Sequence, residues 1–186
     1  MSRFDLRQGR ILIAEPFMLD PHFKKTVVAL CDYTKDEGSA GFILNRPTNL
    51  RMDEVMNEFP DFDSVIHYGG PVANDTIHYI HRVGDLVEGS KEIIPGLYWG
   101  GDFNKLKFLI QNEVIKPFDI RFYIGYSGWS AGQLEEEMDI HSWVTDEIDI
   151  NHPFLNDNAG LWQKCLYNNG AHFSVLADMA DSVSLN

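Results

Sequence analysis

Short apolar runs separated by polar turns fill the first half of the chain, a pattern typical of β-strands. Three of these runs follow one another closely, and the polar loop between the second and the third contains Gly38. Because a short loop joins antiparallel neighbours, we expect these three strands to pair antiparallel. The predicted strands cover residues 9–14, 26–33, 40–44, 65–68, 76–83, 91–94 and 97–99, and Pro95-Gly96 separates the last two.

Apolar residues at helical spacing predict helices between and after these strands. The first helix covers residues 52–59, with apolar residues at every third or fourth position, and it ends at Pro60. A second helix begins after Asp102, whose side chain suits a helix N-cap. A last helix ends at Asn169-Gly170, a helix C-terminal signal.

The most distinctive stretch is residues 125–138, which follows a predicted strand at residues 120–124 and leads into a predicted helix at residues 133–143. Its three glycines allow a sharp bend or the close approach of another segment. Ser130 and Gln133 have the spacing of a capping box. A glycine-lined turn at a helix N-terminus can hold an anion, but the acidic first turn of this helix favours a tightly packed corner.

The excess of acidic residues bears on whether the protein binds nucleic acids or anionic membranes. With 28 acidic and 15 basic residues the chain has a formal net charge of −13, and no run of basic residues interrupts this excess. Direct nucleic-acid binding and attachment to anionic membranes are therefore disfavoured, since both depend mainly on lysine and arginine. The 186 residues, of which 44% are hydrophobic and 23% charged, predict a single domain over residues 1–186.

Cysteine usage and the first residues bear on the compartment. Cys31 lies in an apolar run and Cys165 on the apolar side of the last predicted helix, so we expect two buried, structural thiols. Residues 1–8 are polar and lack the apolar region of a signal peptide, and no apolar stretch approaches the roughly 20 residues that span a bilayer. We therefore expect a soluble cytoplasmic protein without a membrane partner.

The sequence contains fragments of catalytic and metal-binding motifs but no complete one. His78 and His81 lie three apart on a predicted strand, which places them on opposite faces and argues against a shared metal. Ser127 follows Gly125 as in a nucleophile elbow, but Trp129 stands where the second glycine belongs. The sequence therefore predicts no catalytic residue, no metal site and no cofactor.

A set of polar and glycine residues follows three of the predicted strands. If the strand ends lie together, these residues line a cleft with a guanidinium, two amides and an indole, which suits a small ligand. The alternative, which we favour, is that they form structural corners and that Arg46 pairs with one of the many acids. The candidate ligand-binding residues are Asn45, Arg46, Gly69, Gly70, Ser127, Trp129 and Gln133.

An ordered series of motifs resembles the AlgH/YqgE family of bacterial proteins over essentially the whole chain. The motifs are GRILIAEP at residues 9–16, Asp20 and Phe23, GFILNRP at 41–47, YGGPV at 68–72 and GYSGWSAGQLE at 125–135. The resemblance implies an α+β fold, in which a mixed, largely antiparallel sheet curls toward a barrel and is flanked by helices. The resemblance transfers no catalytic residues, because none are agreed for the family. Some members of the family are labelled transcriptional regulators.

Three functions from different classes remain open. The favoured one is a non-enzymatic regulatory or binding protein that acts through a protein partner or a small ligand, with its oligomeric state undetermined. The second is an enzyme on a small anionic metabolite that uses Arg46, Asn45 and Trp129. The third is a transcriptional regulator that binds nucleic acid directly, which the acidic charge disfavours. A positive concavity around Trp129 would favour the second or third function, and an apolar patch the first.

Overall fold

The computed structural model describes residues 4–155, 158, 160–170, 175–176 and 178–179, and ten strands in this part of the chain form its framework. The strands are β1 (Arg10–Ala14), β2 (Val27–Thr34), β3 (Gly38–Ile43), β4 (Pro47–Arg51), β5 (Val65–Tyr68), β6 (Val72–His81), β7 (Lys91–Ile94), β8 (Leu97–Trp99), β9 (Ile120–Trp129) and β10 (Trp143–Glu147). The helices are α1 (Met52–Val55), α2 (Phe103–Gln111), α3 (Gln133–Asp139) and α4 (Leu161–Asn168), with a 3-10 turn at His152–Phe154.

The sheet is mixed but largely antiparallel, which confirms the predicted fold class. Its strands follow the order β10-β1-β2-β3-β9-β6-β8-β7, and β4 joins through β5. The first three strands pair antiparallel as predicted, whereas β5 runs parallel to β9. The sheet curls without closing into a barrel. Gln8, just before β1, contacts β7, the strand at the other end of the sheet order. Its Nε2 donates to the carbonyl oxygens of Glu92 at 2.6 Å and Ile93 at 3.0 Å.

Strand β9 belongs to both halves of this sheet. Residues 120–126 pair antiparallel with β6, and residues 123–124 also pair with β5 on the other side. Residues 127–129 pair antiparallel with β3. One strand therefore connects the half that contains β1, β2, β3 and β10 to the half that contains β4 to β8.

The prediction that this strand ends at residue 124 in a glycine-rich turn is wrong. The strand continues to Trp129, and the turn is confined to residues 130–132. Of the three glycines in residues 125–138, Gly125 serves the other expectation, a close approach of two main chains, because a Cβ there would lie 2.6 Å from the carbonyl oxygen of Gly70.

Apolar side chains pack on both faces of the sheet, as the alternating residues of β1 illustrate. Ile11 and Ile13 point to a cluster that includes residues of α4. Leu12 and Ala14 point to a cluster on the opposite face that includes residues of α3. All residues of β1 are buried, which explains why its sequence is a continuous apolar run. A third cluster packs α2 against β6 and β9.

Two helices are shorter than predicted. Helix α1 stops at Val55, although Met56 and Phe59 still pack in the same cluster as Met52, so their burial was predicted correctly and their helical conformation was not. Helix α3 stops at Asp139, and the chain soon continues as β10. Among the described residues, no helix is long and apolar enough to cross a membrane.

The helix N-termini agree with the sequence in part. The Oδ1 of Asp102 accepts a hydrogen bond from the main-chain N–H of Lys105 at 2.8 Å, which confirms the predicted cap of α2. At α3 the N-cap is Gly132, with a left-handed φ of 77°, rather than Ser130. Half of the predicted capping box still forms, because the N–H of Ser130 donates to the Oε1 of Gln133 at 3.0 Å.

Candidate functional site

Asn45 and Arg46 hold the loop of residues 20–26, here called the 20–26 loop. The guanidinium donates to the main-chain carbonyl oxygens of His22 at 2.7 Å, Lys24 at 3.0 Å and Pro21 at 3.2 Å. The Asn45 side chain donates to the carbonyl oxygen of Lys25 and accepts from the N–H of Val27, both at 2.9 Å. The expected structural role of Arg46 is therefore supported, but its acceptors are main-chain carbonyls and not a carboxylate.

Gly69, Gly70 and Ser127 form a packed contact between main chains. A Cβ on Gly69 would clash with the carbonyl oxygen of Gly125, and a Cβ on Gly70 with the main-chain nitrogen of Ser127. Ser127 is fully buried, and its Oγ donates to the carbonyl oxygen of Gly69 at 2.9 Å. The hydroxyl is therefore used to fasten β9 and does not face solvent.

Trp129 and Gln133 border an open cavity of about 500 Å³, here called the Trp129 pocket. It lies between the 20–26 loop, the end of β9, helix α3 and the start of β10. Its aromatic lining residues are Phe17, Phe23, Trp129 and Trp143, and its carboxylates are Glu15, Asp20 and Glu137. None of the described residues that line it is a lysine or an arginine, so the cavity is both aromatic and acidic.

Three rings of the Trp129 pocket contact one another. The ring centroid of Phe23 lies 6.0 Å from that of Trp129 and 5.5 Å from that of Trp143. The two indoles are 6.1 Å apart and meet edge to face. Such contacts stabilise each ring against its neighbours. The 20–26 loop, through Phe23, is therefore part of the pocket wall.

The carboxylate of Glu137 fixes the two indoles. Its Oε2 accepts from the Nε1 of Trp129 at 2.9 Å and from the Nε1 of Trp143 at 2.7 Å. Its Oε1 accepts from the Nε2 of Gln133 at 3.1 Å. Hydrogen bonds to an ionised acceptor are stronger than neutral ones. Glu137 therefore holds the aromatic wall in one orientation and places a negative charge beside it.

The structure divides the seven candidate residues among three roles. Only Trp129 and Gln133 line the pocket. Asn45 and Arg46 do not line it but form hydrogen bonds to the 20–26 loop. Three residues, Gly69, Gly70 and Ser127, form the packed contact with β9, the strand that contains Trp129. The candidate set lacked four residues that line the pocket, Asp20, Phe23, Glu137 and Trp143. Asp20 and Phe23 belong to the motif series of the family resemblance, and Glu137 lies one helical turn after Gln133, so these three carry a usable signal.

The histidines and cysteines of the described ranges form no metal-binding group. No three His, Cys, Asp or Glu side chains there lie close enough to hold a metal. His78 and His81 point to opposite faces of β6, as predicted. Cys31 and Cys165 are buried free thiols, also as predicted, and burial raises the pKa of Cys165 to about 11.

Relatives of known sequence cover nearly the whole chain. A family model described as AlgH-like matches residues 11–174. A UPF0301 protein of Chlorobaculum tepidum is 40% identical over 181 residues, which cover 97% of this chain and 96% of the relative. A UPF0301 protein of Cytophaga hutchinsonii is 38% identical over 182 residues, which cover 97% of this chain and 100% of the relative.

Two solved structures share the fold. The solution structure of the AlgH protein from Pseudomonas aeruginosa has a TM-score of 0.73 at 29% identity, covering 91% of this chain and 92% of that one. An X-ray structure of a protein from Corynebacterium diphtheriae has a TM-score of 0.77 at 17% identity, covering 95% and 94%. The second likeness concerns the fold alone. By its matched residues and its identity to these relatives, the chain belongs to the AlgH-like, UPF0301 family.

Proposed function

We propose that this protein is a non-enzymatic binding protein that holds a positively charged group in the Trp129 pocket. The observation that carries the proposal is the acidic, aromatic-lined cavity, in which the Glu137 carboxylate holds two indoles that are themselves largely buried. Aromatic faces and carboxylates both attract a cation, and neither suits an anion. A lysine or arginine side chain of a partner protein supplies such a group.

Two further features support a protein partner. Phe17 and Leu19 lie on the chain that lines the pocket and expose 48% and 92% of their surface, which provides an apolar rim for a second protein. The net charge of −13 attracts a basic partner over a long range and speeds their encounter. On this proposal, any regulatory role in transcription runs through a protein contact.

The same features disfavour the other two functions considered for this region. An anionic metabolite or a nucleic-acid phosphate would meet the three carboxylates of the pocket. Arg46 does not offer its charge to an anion in the pocket, because its guanidinium donates to main-chain carbonyl oxygens. The buried free thiols of Cys31 and Cys165 support a reducing compartment such as the cytoplasm as the place of action.

The test compares a charged probe with its neutral analogue. N-acetyl-L-lysine methylamide is titrated into the protein, and the norleucine analogue, which has a closely matched chain without the ammonium group, serves as the control. We expect the lysine probe alone to shift the Nε1–H NMR signals of Trp129 and Trp143. Equal shifts from both probes, or none from the lysine probe, would contradict the proposal.

Asp20→Asn tests the charge of the rim without disturbing its fold. The Oδ1 of Asp20 accepts from the N–H of His22 at 2.8 Å, and an asparagine keeps that acceptor. We expect the lysine probe to bind about twofold to fivefold more weakly, as the loss of one exposed charge implies. Asp36→Asn, an equal charge change at an exposed position that does not line the pocket, should leave the affinity unchanged.

A further inference from the structure

A second cavity, here called the Arg121 cavity, lies where the start of β5, strand β9 and the chain after β10 meet. Its volume is about 480 Å³, and its lining includes Ser64, His67, Arg121 and Asn158. It shares no lining residue with the Trp129 pocket. Its occupancy is therefore independent of the function proposed above.

Arg121 brings a positive charge into this cavity. Its Nε donates to the carbonyl oxygen of Pro153 at 3.1 Å, and its Nη2 donates to that of Leu155 at a long 3.5 Å. Within the described part of the chain, no carboxylate forms an ion pair with it, and burial lowers its pKa. Because a desolvated cation is costly to leave unpaired, the guanidinium favours an oxyanion, which it can bind through two parallel N–H groups.

His67 fixes the orientation of Asn158 in the same cavity. The ring is buried, with its Nδ1 3.3 Å from the carbonyl oxygen of Val65 and its Nε2 2.7 Å from the Nδ2 of Asn158. A carbonyl oxygen only accepts, so Nδ1 carries the proton and Nε2 accepts from the Asn158 amide. Burial and the charge of Arg121 lower the pKa of His67 to about 4, which keeps the ring neutral at pH 7. The acceptor of Asn158, its Oδ1, is thereby not used by the ring.

Two buried polar atoms of this cavity have no hydrogen-bond partner among the residues that the structure describes. They are the Oγ of Ser64 and the Oδ1 of Asn158, and each residue exposes only 5% of its surface. Buried polar groups are rarely left unpaired, because each such group costs free energy. These two atoms and the Arg121 guanidinium line one cavity and together offer polar groups to a ligand. It must bring an oxyanion to the cation and a donor to the Oδ1.

We propose that the Arg121 cavity binds a free α-amino acid. The ligand carboxylate pairs with Arg121 and accepts from the hydroxyl of Ser64, and the ligand ammonium group donates to the Oδ1 of Asn158. The exposed carboxylate of Asp63, which also pairs with Arg51 at 3.5 Å, lines the same cavity and favours a positively charged donor over a neutral one. Phe118, which also lines the cavity and exposes 66% of its surface, provides apolar contact for the ligand side chain. The volume suits a small ligand.

The first experiment titrates the full chain with each of the common amino acids in turn and with inorganic phosphate. We expect at least one amino acid to shift the NMR signals of the Arg121 Nε–H and the Asn158 side-chain amide. Its analogue without the amino group should bind at least about tenfold more weakly. The proposal is overturned if no amino acid shifts these signals, if phosphate binds there more tightly, or if the deaminated analogue binds equally well.

Ser64→Ala is the informative variant, because the Oγ it removes has no partner in the free protein. We expect the melting temperature of the free protein to stay the same or rise, because an unpaired buried hydroxyl is removed, and the affinity for the amino acid to fall about tenfold, as the loss of a hydrogen bond to a charged group implies. Ser130→Ala, at an exposed position outside the cavity, should change neither. Unchanged affinity in Ser64→Ala overturns the proposed binding mode.

Discussion

At the scale of single residues, Arg46 has a guanidinium that could bind a ligand, but the group donates its hydrogen bonds to main-chain carbonyl oxygens of the 20–26 loop. Its three hydrogen bonds anchor the 20–26 loop and, with it, the Phe23 wall of the Trp129 pocket. We expect Arg46→Ala to lower the free energy of unfolding by about 2–4 kcal/mol, because three carbonyl oxygens lose a charged donor. Chemical denaturation measures this loss.

Arg51→Ala is the matched control for this prediction. Arg51 pairs with three mainly exposed carboxylates, those of Asp53, Asp61 and Asp63. Exposed ion pairs contribute little to stability, so the loss should be much smaller than in Arg46→Ala. If Arg46→Ala lost no stability, Arg46 would return to the candidates for ligand binding.

His67 makes the stability of the protein depend on pH. Its pKa is about 4 in the folded protein against 6.5 for an unperturbed histidine. As the pH falls, the unfolded chain takes up the proton first. The stabilisation is therefore complete above pH 6.5 and is lost as the pH falls toward 4. Between pH 7.5 and pH 4.5, we expect this ring alone to reduce the free energy of unfolding by about 2.5 kcal/mol.

His67→Gln isolates this contribution, because glutamine also has a side-chain acceptor for the Asn158 amide and does not titrate. Denaturant titrations of both proteins at the two pH values give the difference in their pH dependence. The other buried histidines are present in both proteins, so their contributions cancel. The same loss in the variant as in the parent would show that another group causes the effect.

At the scale of elements, the crossing of Gly69-Gly70 over β9 sets the shape of the sheet. Gly70 has a φ of 150°, and a Cβ there would clash with the main chain of β9. We expect Gly70→Ala to cost about 3 kcal/mol or more, because neither main chain can move without disturbing the strand pairing. Chemical denaturation tests this, and loss of soluble folded protein would be the extreme form of the expected result.

Gly132→Ala separates the clash from simple backbone strain. Gly132 also has a positive φ, of 77°, but nothing lies within 4 Å of a Cβ built there. Its replacement should cost only the strain of a left-handed alanine, about 1–2 kcal/mol. Equal losses at the two glycines would mean that the main chains at the crossing can separate.

The errors in predicting elements fall where a distant segment decides the conformation. Apolar runs were sufficient to locate β1, β2 and β3, because these strands are buried along much of their length. The glycines of residues 125–132 were expected to allow a bend or the close approach of another segment. Gly125 makes the close approach, with Gly70 as its partner, and no local pattern identifies that partner. In the stripe at residues 52–59, Met52 and Phe59 are buried although the chain after Val55 is irregular, whereas Val55 itself exposes 42% of its surface.

At the scale of the whole molecule, the Trp129 pocket gathers residues from segments that are far apart in the chain. Trp129 and Gln133 could be predicted, because they belong to the distinctive glycine-rich stretch. Phe23 and Trp143 join them only because the sheet brings the 20–26 loop and β10 against the end of β9. The acidic character of the pocket follows from the same assembly. No single motif predicts that the pocket is acidic, and the net charge of −13 does not show where on the molecule the acidic residues gather.

The position of β9 between the two halves of the sheet also fixes the order in which a growing chain can fold. Strands β3 and β6 are made early, but in the described part of the chain each of them pairs with β9, so this pairing between the halves is complete only after residue 129 has left the ribosome. Strand β1 keeps an open edge for longer still, until β10 is made. Open strand edges invite pairing with other chains. We therefore expect the nascent chain to be most prone to aggregation before β9 and β10 are made.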